Sequence, residues 1–247
     1  MKRKVLTLLV LCLFFYFEAE ADNAISDIKY NVYNQSDESS RINSGIDIGT
    51  ETTINGNGIL AVGKRSLEQF TGIDLKGPFK ISIKCGEKTN EIEIETDSNL
   101  LETIKTEIKD GILVVWPAKP CSFTRIPVLK LSCVMISKIK SSGSAEINIT
   151  GIKTPSFGIT MSGRGKADIY GETEDFFVKT SGSASVYATN LICKNIKIEA
   201  SGSGEMKFNS VKSLSAKIRG STKIYLPSRP EIFEEKISGS GEVIIED

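Results

Sequence analysis

The chain has 247 residues, with 31 Lys and Arg against 31 Asp and Glu and not one histidine. Balanced charge argues against a nucleic-acid surface, which needs a basic face. The absence of histidine removes the commonest general base and a frequent zinc ligand.

The chain opens like a targeting segment. Lys2, Arg3 and Lys4 precede an apolar stretch at residues 5–17, and Ala19-Glu20-Ala21 offers a small-x-small cleavage site. The stretch is too short to span a bilayer comfortably, which takes about 20 residues. Cys12 follows Leu9-Val10-Leu11, without the small residue that lipid attachment requires. Residues 1–21 are therefore expected to be a signal peptide, leaving no stable membrane span after its removal. The mature chain then carries 28 basic and 29 acidic residues. Residues 22–56 are polar and weakly patterned, and read as a flexible leader with one short strand at 46–48.

From residue 57 to 247 the pattern is that of strands. Ile73, Leu75, Phe79, Ile81 and Ile83 alternate around Gly77, with Pro78 turned outward. A strand is expected at 91–96 and a helical turn at 97–104, capped by Asp97 or Ser98. Residues 106–116 read as a hairpin around Asp110-Gly111, a pair that suits a tight turn. Pro117, Pro120 and Pro127 mark a loop before a strand at 128–131. Four cysteines remain in the mature chain: Cys85, Cys121, Cys133 and Cys193. Export permits disulfides, and three pairings are open beside the option of free thiols. No CxxC pair is present, so neither a metal nor any other cofactor is expected.

The last hundred residues return six times to a glycine in a small-residue cluster. The glycines are Gly143, Gly163, Gly182, Gly202, Gly220 and Gly239, spaced 20, 19, 20, 18 and 19 residues apart. Four and six residues after each glycine the chain is apolar: Ile147 and Ile149, Ala167 and Ile169, Val186 and Ala188, Met206 and Phe208, Ile224 and Leu226, Val243 and Ile245. Six and four residues before, the inward pairs are Phe157 and Ile159, Phe176 and Val178, Ile196 and Ile198, Leu214 and Ala216; Phe233 and Glu235 break the rule in the last copy. Each copy is thus a strand, a bend and a second strand, with one apolar face. Parity places the central glycine inward, where valine would overpack the corner. A fixed period near 20 implies copies stacked on one another. The expected fold is all-β: a single-chain right-handed parallel β-helix, or β-solenoid, with about 19–20 residues per coil. Ile147, Ile169, Val178, Ile198, Ile224 and Ile237 are expected inside, and Lys166, Lys179, Lys197 and Lys223 outside. Three residues past each glycine the outer face reads Glu146, Lys166, Ser185, Glu205, Lys223 and Glu242, which suggests ion pairs between copies.

Several segments together resemble the putative auto-transporter adhesin, head GIN domain family. They are Asn57-Gly58, Phe70, Ile73-Asp74-Leu75-Lys76-Gly77-Pro78-Phe79, Asp97-Ser98-Asn99-Leu100-Leu101, Asp110-Gly111-Ile112-Leu113 and the recurring SGSG-like corners. The chain departs from the pattern at the bulkier corner Arg219-Gly220-Ser221-Thr222. The resemblance implies an exported envelope protein with a β-helical fold and carries over no catalytic residue.

Three functions fit this frame. The favoured one is a non-catalytic module of the periplasm, outer surface or exterior, binding a glycan or an envelope or surface protein. A structural protein that assembles or self-associates through its open ends is the second. A polysaccharide-cleaving enzyme is the third and the least supported, because no acid–base constellation converges and the outward positions repeat Ser, Lys and Glu copy after copy. The clearest break in that repetition is Arg219, with Tyr225 beside it and Arg164 and Tyr187 in earlier copies. Arginine does not deprotonate, so Arg and Tyr on one face suit recognition rather than proton transfer. Arg164, Tyr187, Arg219 and Tyr225 are therefore the candidate binding residues.

Overall fold

A computed structural model describes residues 52–246. The expected signal peptide and all of the leader up to residue 51, including the strand at 46–48, lie outside the described residues.

Alternation builds every strand. β1 (Ile54–Asn55) and β2 (Leu60–Ser66) are followed by β3 (Gly72–Lys76) and β4 (Phe79–Cys85) on either side of the Gly77 bend. In β4 Phe79, Ile81, Ile83 and Cys85 are buried and the lysines and serine between them are exposed. Then come β5 (Glu91–Asp97), a 3-10 turn at Leu101–Thr103, β6 (Ile104–Lys109), β7 (Ile112–Pro117), β8 (Cys121–Ser122) and β9 (Val128–Cys133). β10 (Lys138–Ile192) pairs without a break through bends at Gly143, Gly151, Gly163, Gly171 and Gly182, all at positive φ. β11 (Asn195–Ser203), β12 (Glu205–Phe208), β13 (Ser213–Gly220), β14 (Lys223–Leu226), β15 (Ile232–Gly239) and β16 (Glu242–Ile245) complete the chain. Among the described residues there is no α-helix.

The all-β expectation holds; the right-handed parallel β-helix of 19–20 residues per coil does not. The large sheet is mixed. β2 runs antiparallel to β5, β5 antiparallel to β9, and β6 antiparallel to β7. Parallel pairing holds where the glycines recur: Gly182 faces Gly202, which faces Gly220, which faces Gly239. It also links β3 and β4 to β10, with Ile73 opposite Ile139 and Ile81 opposite Ile147. The period specifies which residues pair in its own segment. It says nothing of the first half, where β6 and β7 meet across a short turn and β2, β5 and β9 meet only after longer excursions. Asp110 and Gly111 (φ 52° and 73°) form the tight hairpin expected there.

One continuous core runs through both halves. The apolar positions around the glycines are buried as their parity requires, from Ile147 and Ile149 to Ile224 and Leu226. Phe157 stacks on Phe176 with centroids 5.7 Å apart, and Phe176 meets Phe208 edge-on at 6.1 Å. Each such contact adds about 0.5–1.5 kcal/mol beyond area burial.

Four finer expectations need correction. Gly182 is exposed rather than inward. Its φ is +104°, and a Cβ there would lie 2.5 Å from the carbonyl oxygen of Gly163. The residue is constrained by the backbone of the preceding copy, not by the core. Ile237, expected inside, is 37% exposed because among the described residues no strand lies beyond β15. Lys166 and Lys223 are exposed, but Lys179 and Lys197 are half-buried among their row neighbours. Neither Asp97 nor Ser98 caps the 3-10 turn, whose N-cap is Leu100. The buried Asp97 carboxylate instead accepts hydrogen bonds from the Gly58 amide (2.9 Å), the Thr124 amide (3.0 Å) and the Thr124 hydroxyl (2.6 Å). It thereby ties three distant segments together.

Candidate functional site

The outward row five residues past the glycines carries the unusual chemistry. Tyr187 in β10 stands opposite Lys207 in β12, which stands opposite Tyr225 in β14, which stands opposite Ile244 in β16. The neighbouring inward row is Val186, Met206, Ile224 and Val243. Packing of that inward row sets the register, so the outward tyrosines and lysine are held at strand spacing by the core beneath them.

Both rings are half-buried and each lies under an ammonium group. Lys166 Nζ sits 5.0 Å from the Tyr187 centroid, and Lys207 Nζ 5.1 Å from that of Tyr225. Such contacts are worth about 0.5–1 kcal/mol at exposed sites. The Tyr187 hydroxyl donates to Glu205 Oε1 at 3.1 Å, and the same carboxylate oxygen pairs with Lys207 at 3.2 Å. Lys166 pairs with Asp168 at 2.9 Å. These carboxylates hold both lysines above the usual ammonium range, with Asp168 the main cause at Lys166 and Glu205 at Lys207. The lysines are therefore fixed cations at neutral pH, unsuited to proton abstraction. Beside Tyr225, a shallow open hollow is lined by Thr189, Lys207, Asn209, Pro227 and Glu246 among others.

Of the four residues singled out by sequence, the structure brings Tyr187 and Tyr225 into one row. Arg164 and Arg219 are exposed and stand elsewhere. Arg164 follows the Gly163 bend. Arg219 lies in β13, between Ser201 and Ser238 in the serine row that precedes the glycines. Sequence reasoning read Lys166 and Glu205 only as outer ion-pair positions and did not place Lys207 among the candidates. The available signal was the shared offset: Tyr187, Lys207 and Tyr225 each follow their glycine by five positions.

The outer-face ion pairs differ from the expected ladder between copies. Lys80–Glu146 (3.1 Å) crosses from β4 to β10, and Lys194–Glu174 (2.6 Å) joins the bend before β11 to β10. Lys166–Asp168 and Lys207–Glu205 run along a strand instead, which leaves the tyrosine rings flanked by charge on their own strands or the next. Among the described residues no group of three or more Cys, Asp or Glu is placed to hold a metal ion. Nor is any helix among them long and apolar enough to cross a membrane.

The model of a family described as putative auto-transporter adhesin, head GIN domain matches residues 69–230. No curated protein matches the chain. Among solved structures, a putative adhesin from Bacteroides fragilis NCTC 9343 superposes with a TM-score of 0.62 at 16% identity, covering 77% of this chain and 98% of that one. A putative lipid binding protein from Parabacteroides distasonis ATCC 8503 superposes with a TM-score of 0.61 at 18% identity, covering 78% and 98%. At these identities the likeness is one of fold alone. The family and both neighbours carry binding or adhesion descriptions rather than enzymatic ones.

Proposed function

The chain belongs to the putative auto-transporter adhesin, head GIN domain family, and we propose that it is an exported, non-catalytic binding module of the cell envelope or surface, acting through the Tyr187–Lys207–Tyr225 row. The observation that carries this reading is the pair of half-buried rings held in register with fixed cations between and beside them. Such a strip offers flat apolar area together with donors and acceptors, which suits the alternating apolar and hydroxyl faces of a glycan chain. The charged groups are mutually paired, so they cost little to bring against a neutral polyol. Export is supported by the basic start, short apolar stretch and Ala-x-Ala site at residues 1–21.

Screening the purified protein against envelope and host polysaccharides tests the proposal. Binding that is lost in Tyr187→Ala with Tyr225→Ala, while the melting temperature is kept, is the expected result. Binding that survives this double change and is lost on Arg164→Ala with Arg219→Ala would move the site to the bends. Phospholipid vesicles are the informative control, given the description of the Parabacteroides neighbour. Release of reducing ends or unsaturated sugars, abolished by changing one carboxylate, would overturn the non-catalytic reading.

A second reading rests on the C-terminal end of the sheet. Among the described residues β15 and β16 each have a strand on one side only, and Ile232 and Ile237 are exposed there. A structural role through that end predicts a solution mass above that of one chain. A monomer at all working concentrations would remove it.

A further inference from the structure

We propose that Cys85 and Cys133 are the site of a disulfide that closes the antiparallel excursion between β4 and β9, and that Cys121 and Cys193 take no part in it. This goes beyond the binding reading and does not depend on it. Sequence left three pairings open; the register selects one. Cys85 ends β4, Cys133 ends β9, and the two are direct partners in that parallel pair. Adjacent strands lie about 4.8 Å apart, inside the Cα separation of about 4.4–6.8 Å that a disulfide spans. Both side chains point to the buried face, as the alternation through Ile81 and Ile83 and through Leu129 and Leu131 requires.

The sulfurs are 3.7 Å apart, with the Cys133 thiol donating toward Cys85. Bond formation needs only side-chain rotation to bring them to about 2.05 Å. The backbone on the far side is already clamped: the Gly86 amide donates to the Val134 carbonyl at 3.0 Å and the Glu87 amide to the Cys133 carbonyl at 3.1 Å. Donation from Cys133, and from the Ile136 amide, holds the Cys85 thiol below its ordinary range, while the same pairing raises Cys133. Cys85 is also the slightly more accessible of the two, at 9% exposure against 0%. Cys85 is thus the attacking sulfur. Its thiolate displaces one thiolate from a dialkyl disulfide such as oxidised glutathione, forming a mixed disulfide. Cys133 gives up its proton and attacks the Cys85 sulfur, displacing the second thiolate. Two protein thiols are oxidised, one disulfide is reduced to two thiols, and the two protons pass to the leaving thiolates.

Neither remaining cysteine offers such a partner. Cys121 donates to the Lys119 carbonyl in the short β8, and burial pushes the Cys193 thiol up to about 11. The linked residues are 48 positions apart. The bond would staple the base of a segment that contains β5, the 3-10 turn, β6, β7 and β8.

The test is peptide mapping of the full chain after incubation with oxidised glutathione, unfolding and alkylation without reductant. A Cys85–Cys133 linked peptide, with Cys121 and Cys193 alkylated, is expected, and the same peptide should form in a Cys121→Ser, Cys193→Ser variant. Oxidised protein should melt about 5–15 °C above reduced protein, and the shift should vanish in a Cys85→Ser, Cys133→Ser variant. Full alkylation of Cys85 and Cys133 after oxidation, a stable glutathione adduct on Cys85, or a bridge to Cys121 or Cys193 would each overturn the assignment. An unchanged melting temperature on forming the bond would overturn its stapling role.

Discussion

β13 and β15 are copies of one strand in one sheet, paired residue for residue from Ser213 opposite Ile232 to Gly220 opposite Gly239. Their burial differs completely. Leu214, Ala216 and Ile218 are buried in β13, whereas β15 keeps only Phe233 half-covered and leaves Glu235 and Ile237 exposed. The difference is position: β13 lies between β11 and β15, and among the described residues no strand lies beyond β15. An apolar face is therefore covered in large part by the copy that follows. The glycine bends behave in the opposite way. A Cβ at Gly239 would lie 2.5 Å from the carbonyl oxygen of Gly220, the copy before it. The last glycine is thus as crowded as those in mid-sheet, although its strand is bare.

This asymmetry makes sharp comparisons. Ile218→Ala should cost about 2–5 kcal/mol, the range for a filled core position, and Ile237→Ala under about 1 kcal/mol. Equal losses in urea unfolding would show that the last strand is covered in solution, which would favour the assembly reading. Gly202→Val and Gly239→Val should each cost about 1–3 kcal/mol, since both combine positive φ with a backbone collision. A neutral Gly239→Val would show that the terminal bend relaxes freely. Gly58, also at positive φ but with open space around it, should suffer less than either.

The front of the molecule should respond to acid through the buried Asp97, whereas the depressed carboxylate of the repeats, Glu174, is an exposed partner of Lys194. Thr124, through its hydroxyl and then its amide, holds the Asp97 carboxyl below the usual carboxylate range, with the Gly58 amide adding to the effect. A group whose folded pKa is depressed stabilises above its unfolded pKa and loses that contribution as pH falls through the folded value. Protection of the Gly58 and Thr124 amides against exchange, corrected for the intrinsic pH dependence, should therefore fall below about pH 4 before protection in β11 and β13 does. Asp97→Asn should abolish that difference by removing the titration; simultaneous loss in all strands would contradict it. The smallest effect is expected at Lys197→Ala, the outward neighbour of Ile198, within about 0.5 kcal/mol in urea unfolding. A larger loss would mean that the outer rows contribute to stability beyond setting register.

The candidate site was half legible. Tyr187 and Tyr225 stand out in sequence because they interrupt a polar repetition, and their shared offset places them in one row. Arg164 and Arg219 were grouped with them by residue type alone. Their offsets, one after and one before the glycine, put them on other parts of the bend. Lys166 and Glu205 were read only as outer ion-pair positions and Lys207 was not among the candidates, because Lys and Glu recur throughout and only side-chain distances distinguish the ones that meet a ring.

What the sequence by itself determined is local and periodic. Alternation specified which side chains of 138–226 are buried, the glycine period specified which residues are partners across strands, and Asp110-Gly111 specified a hairpin. These depend on one backbone geometry repeated, so they can be read without knowing the rest. Tertiary structure alone decided how the sheet is assembled. The antiparallel pairing of β2, β5 and β9 arises from which chain directions meet after long excursions, and no period records it. Tertiary structure also decided that Ile237 is bare, that Asp97 binds Thr124 instead of capping a turn, and that Cys85 faces Cys133. Each of these depends on which segment lies alongside, a contact between residues far apart in the chain that no local pattern encodes.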